Sequence, residues 1–122
     1  MKDYKDFEKA GMVSVWVGDC ADPSCLDDYL NLSQDFERDF GFRLNDRNMP
    51  ETVTEEAPTT IADLVDGFSW ADRFKDSVVE AAKRQGVAMA NTMVVFFNCH
   101  YDPSAVTVGR SSHLRFLCAV PF

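Results

Sequence analysis

Cys99 and His100 stand side by side in the stretch VVFFNCHYD, residues 94–102, with Asp102 two places further on. A thiol next to an imidazole has the makings of an activated nucleophile, in which the base draws the proton from sulfur. The same residue types also bind zinc, which takes four ligands, usually supplied as closely spaced pairs. The chain has four cysteines, at 20, 25, 99 and 118, and two histidines, at 100 and 113. Carboxylates are more abundant: 20 of them against 12 lysines and arginines, for a formal net charge of −8.

Strand geometry tests the thiol readings first. The apolar run Met93–Phe97 just ahead of Cys99 predicts a buried strand, and neighbours on a strand point to opposite faces. His100 therefore cannot serve Cys99 as a base, and the two cannot share a metal without a bulge. His113 and Cys118 are five apart on a final strand and also face opposite ways. Cys20-x4-Cys25 resembles half of a zinc site, but no second pair completes it, so neither a metal site nor any other cofactor is expected. Cys99 reads as a small buried hydrophobe, and His100 as a strand-end residue with local hydrogen bonds. The chain contains no G-x-S-x-G, cysteine-protease, P-loop or dinucleotide signature. The surviving enzymatic alternative is a small enzyme using Cys99, Cys118 or His113, the last reaching across a hairpin.

Periodicity supplies the elements that would hold these groups. MVSVWV (12–17) predicts a strand with Val13, Val15 and Val17 on one face and Met12, Ser14 and Trp16 on the other, ended by Gly18. Asp22 and Pro23 stand as N-cap and first residue of a helix whose apolar face is Leu26, Tyr29 and Leu30. In QDFERDFGFRLND (34–46), Phe36 and Phe40 suit a helical turn, while Phe40, Phe42 and Leu44 alternate; a turn of helix followed by a second strand is expected. The polar segment 45–58, with two prolines and no sustained period, reads as a surface loop. Thr60 with Asp63, and Ser69 with Asp72, have capping-box spacing. They open two helices with buried stripes Ile61, Leu64, Val65 and Phe74, Val78, Ala81, Ala82, closed by Gly67 and Gly86.

AMANTMVVFFNCHYD has a continuous apolar centre and predicts a strand covered on both faces. A turn around Asp102-Pro103 and Gly109 leads to SHLRFLCAVPF, a last alternating strand expected to pair with it as an antiparallel hairpin. The order β-α-(α)β-α-α-β-β predicts an α+β fold: a small, mainly antiparallel sheet with helices packed on at least one face. The 122 residues suit a single domain, with residues 1–10 as a flexible N-terminal segment.

The charge is unevenly placed. Residues 19–56 hold Asp19, Asp22, Asp27, Asp28, Asp35, Glu37, Asp39, Asp46, Glu51, Glu55 and Glu56 against Arg38, Arg43 and Arg47, while acids and bases balance on either side. Such a field repels nucleic acid and steers basic partners; it also keeps a surface soluble, and both readings stand. The first group for a partner surface is Asp35, Glu37 and Asp39, the second Glu51, Glu55 and Glu56. Trp16 reads as core. Trp70, at a helix junction, is either a packing staple or an exposed binding anchor. The charged start MKDYKDFEKAG leads into no long apolar stretch, so a cytoplasmic protein with reduced thiols, bound to neither membrane nor nucleic acid, is expected.

Four ordered blocks, EKAGMVSVWVGD, LVDGFSWAD, ANTMVVFFNCHYD and LRFLCAVPF, resemble the immunity protein 22 family of bacterial polymorphic-toxin systems, from about Glu8 to Phe122. The resemblance implies a non-enzymatic role: binding a cognate toxin domain, a basic one such as a cytoplasm-acting nuclease, and blocking it. A general acidic adaptor protein is the alternative from a third class.

Overall fold

The computed structural model describes residues 2–32, 35–45, 47–108 and 113–122. In chain order the elements are β1 (Lys2–Asp3), α1 (Tyr4–Phe7), β2 (Glu8–Gly18), α2 (Pro23–Asp27) continued by a π-helical turn over Asp28–Leu32, and α3 (Asp35–Phe40). Then come β3 (Phe42–Arg43), β4 (Glu51–Thr60), α4 (Ile61–Val65), α5 (Ala71–Gln85), β5 (Met89–Cys99), a 3-10 turn at Pro103–Ala105 and β6 (Leu114–Pro121). The fold is α+β, with a four-stranded antiparallel sheet in the order β4-β5-β2-β6 and a small parallel pair, β1-β3.

The alternation of β2 works as its sequence predicts. Val13, Val15 and Val17 meet Ile61, Leu64 and Val65 of α4 and Phe74, Val78, Ala81 and Ala82 of α5, together with Met93 and Val95 of β5. On the opposite face Trp16 sits among Tyr4, Phe36, Phe40, Phe42, Phe96 and Tyr101. The sheet is thus covered on both sides, which is why β5 reads as an unbroken apolar run. Asp22 caps α2 by accepting from the Cys25 amide (2.9 Å), Thr60 caps α4 by accepting from the Asp63 amide (3.2 Å), and Gly86 closes α5 in the left-handed conformation (φ 75°).

Several expectations are corrected. The hairpin between the last two strands does not form, because β2 lies between them: Val15 faces Val95 on one side and Cys118 on the other. The physical reason is burial, since β2 is buried on both faces from Val13 to Val17 and only a central position achieves that. Most of the expected loop over 45–58 is strand β4, a sheet edge with most of its side chains exposed. Its polarity and its proline follow from that place: pairing with β5 is interrupted between Thr54 and Thr59, where Pro58 needs no ladder partner. The strand expected after α3 shrinks to Phe42–Arg43 and pairs with β1 outside the main sheet. Within residues 2–10, Tyr4 and Phe7 are buried and the Tyr4 hydroxyl donates to the Phe97 carbonyl (2.8 Å). Ser69 does not cap α5; Trp70 takes that place, without a side-chain cap. Asp46 and the Gly109 turn lie outside the described residues.

Candidate functional site

Cys99 ends β5 inside the core, and the residues after it are tied down locally. The buried Ser14 hydroxyl donates to the Cys99 carbonyl (2.8 Å) and accepts from the Tyr101 amide (2.9 Å), while the Tyr101 hydroxyl donates to the Phe40 carbonyl (2.7 Å). His100 faces outward, its amide donating to the Phe7 carbonyl (2.7 Å). Burial pushes the Cys99 thiol up to about 11 and the Cys118 thiol up to about 12, which disfavours the thiolate at both. All four thiols are unbridged. Alkylation of the folded chain at pH 8, read by peptide mass spectrometry, is expected to modify the half-buried Cys25 first and to spare Cys99 and Cys118. Fast labelling of Cys99 would revive the enzymatic alternative.

The structure brings together a different set of thiol and imidazole groups. Cys20, just past β2, Cys25 in α2 and His113, just ahead of β6, place their ligand atoms within 4.8 Å of one another. Alternation relates residues along a single strand. This set is assembled between strands, because β2 and β6 are neighbours and the Asp19 amide donates to the His113 carbonyl (3.0 Å). The Cys25 sulfur lies 3.9 Å from His113 Nδ1. Burial, and then the neighbouring Cys25 thiol, raise the Cys20 thiol to about 12.

The carboxylates proposed for a partner surface divide between two places. In α3, Asp39 is only 6% exposed and accepts from the Tyr29 hydroxyl (2.7 Å), which ties α3 to the turn after α2. Glu37 accepts from the Leu44 amide, and Asp35 is ion-paired with Arg38 (3.2 Å). In β4, Glu51 accepts from the Ser69 amide (3.0 Å), which brings it beside Trp70. Glu55 and Glu56 are exposed at the interruption of β4, about 13 Å further along the strand, and share a shallow recess with Asp63.

Trp70 is 55% exposed and held in the left-handed conformation (φ 54°), which a non-glycine residue adopts at a cost of about 1–2 kcal/mol. Its indole packs against Phe97 (5.5 Å between ring centres) and Phe122 (6.0 Å), which touch each other at 5.4 Å. One side of the ring packs, as a staple does, and the other is open to solvent. Phe97 and Phe122 escaped the reading of the sequence, although their alternation on β5 and their place after β6 put them on the α5 side.

No helix among the described residues is long and apolar enough to cross a membrane. An antiparallel sheet with an acidic, interrupted edge and a half-open aromatic cluster defines, as a class, a small α+β protein. The chain belongs to the immunity protein 22 family, whose description it matches over residues 13–122. Comparison with curated proteins and with solved structures returned no match. Membership points to neutralisation of a toxin, and such families are generally non-enzymatic.

Proposed function

We propose that this chain, as a single cytoplasmic domain acting without a cofactor, neutralises a cognate toxin by binding it directly. Membership of the immunity family over nearly the whole chain carries the reading. The proposed contact surface runs from Trp70 and Glu51 along the β4 edge to Glu55 and Glu56, with Asp35 and Glu37 at the periphery. Exposed carboxylates on an edge strand discourage pairing with other strands and at the same time attract a basic surface. The toxin is therefore proposed to be basic, as a nuclease cleft is, and the acidic edge to compete there with phosphate. Long-range attraction sets the association rate, and a desolvated aromatic anchor sets the lifetime of the complex.

Co-expression with the neighbouring toxin, followed by gel filtration, tests this reading. Protection of the cells and a co-eluting complex are expected; neither one appearing would refute it. Trp70→Ala is expected to weaken the complex about 30-fold, the size of a modest hot spot of about 2 kcal/mol. Reversing Glu55 and Glu56 to lysine is expected to slow association and flatten its salt dependence. Unchanged kinetics in both variants would move the interface elsewhere on the molecule.

A further inference from the structure

We propose that Cys20, Cys25 and His113 form a binding site for Zn²⁺, with two thiolates, one imidazole and a solvent molecule as the fourth ligand. Zinc takes sulfur at about 2.3 Å and imidazole nitrogen at about 2.0–2.1 Å, so tetrahedral donors stand roughly 3.5–3.8 Å apart. The Cys25 sulfur and His113 Nδ1 are already 3.9 Å apart, and all three donor atoms lie within 4.8 Å. The remaining distance is left to side-chain rotation on binding. Two sulfurs and a nitrogen select a borderline-soft cation over magnesium or calcium, which take oxygen.

Each donor is fixed by its own element. The backbone of Cys20 is clamped at both ends by the buried Asn91 side chain, whose Oδ1 accepts from the Cys20 amide (3.0 Å) and whose Nδ2 donates to the Cys20 carbonyl. The Thr92 hydroxyl donates to Asn91 Oδ1 (2.8 Å) and so steadies the clamp. Such outer partners orient a ligand and add to metal affinity. Cys25 is held by the Asp22 cap, and His113 by its carbonyl bond from Asp19 and by edge contact with the Tyr29 ring (5.1 Å). Cys25 and His113 are each partly exposed, which leaves an ion a way in from solvent. Binding replaces two S–H bonds by two S–Zn bonds and releases two protons to the buffer, with no change of oxidation state. This site is independent of the toxin-binding reading.

The test is titration of the reduced, chelator-treated full chain with Zn²⁺ alone, against a zinc-sensitive dye. Cobalt in place of zinc reports geometry and thiolate ligation through its visible and near-ultraviolet bands. One zinc per chain is expected, with a tetrahedral, thiolate-bearing cobalt spectrum. Cys25→Ser and His113→Asn, both at half-buried positions, are each expected to weaken binding by about 100-fold or more. Cys118→Ser, on the opposite face of the sheet, should leave it unchanged. Absence of uptake at micromolar zinc, uptake indifferent to both ligand variants, or a Cys20–Cys25 disulfide persisting in the reduced chain would each overturn the proposal.

Discussion

Trp16→Ala is expected to cost about 3–5 kcal/mol of folding stability, the range for removing a large buried aromatic. Trp16 is fully buried, and its ring centre lies 5.0–5.6 Å from those of Phe36, Phe40, Phe96, Tyr101 and Phe116. Those five rings come from α3, β5, β6 and the segment after β5, so the indole is where separate parts of the chain meet. Alanine leaves a cavity lined by rigid rings that collapse poorly, which places the loss at the upper end. A domain of this size has only about 5–15 kcal/mol in total, so the urea midpoint should fall steeply with little change in slope. Trp16→Phe separates packing from polarity. The indole Nε1 is buried and has no hydrogen-bond partner among the described residues, a defect worth about 1–3 kcal/mol. Phenylalanine removes that donor and keeps much of the ring, so its loss should be less than half that of alanine. A Trp16→Ala loss below about 1 kcal/mol would show that this aromatic cluster is not a packed core.

Gly18→Ala is expected to cost about 3 kcal/mol, the upper end for forcing atoms into a packed site. A β-carbon at residue 18 would lie 1.7 Å from the His113 carbonyl oxygen, 2.8 Å from its carbonyl carbon and 3.0 Å from Leu114 Cα. These are backbone atoms and cannot swing aside, so β2 and β6 must part at this end. The Asp19 amide bond to the His113 carbonyl would be the first to go. Amide hydrogen exchange should therefore accelerate at Asp19 well before it does in the middle of β2. Gly11→Ala is the control: its φ of +81° strains an alanine, but no atom lies within 4 Å of the added carbon. Its loss should stay near 1–2 kcal/mol, the cost of left-handed backbone alone. Equal losses at the two glycines would mean that conformation, rather than the close approach of two strands, sets the requirement at residue 18.

The parts of the fold legible in the sequence were those whose signal is local. Alternation assigned both faces of β2, and the Asp22-Pro23, Thr60-Asp63 and Gly86 signals bounded their helices. Strand β4 was missed because an edge needs only one covered face, and its interruption at Pro58 breaks the period. Pairing between strands was beyond reach for another reason. Alternation tells which face a residue occupies and is silent about which strand lies alongside, so β5 and β6 were joined as sequence neighbours when β2 separates them. The same gap hid the sites. Glu51 meets the Ser69–Trp70 turn, and Cys20 meets His113, only through long-range register. The burial of Asp39 was hidden likewise, because the tyrosine that donates to it, Tyr29, sits in another element.

The central place of β2 has a consequence for how the chain is made. Its partners, β5 and β6, end at residues 99 and 121, so the earliest long strand to leave the ribosome lacks both neighbours until nearly all of the rest has followed. At about 5–20 residues per second, that interval is roughly 5–20 s. Until β5 is complete the Val13–Val17 strip and Trp16 have no sheet to join, and until β6 is complete one edge of β2 stays open. Closing the sheet around β2 therefore waits for β6, the last of its four strands in chain order.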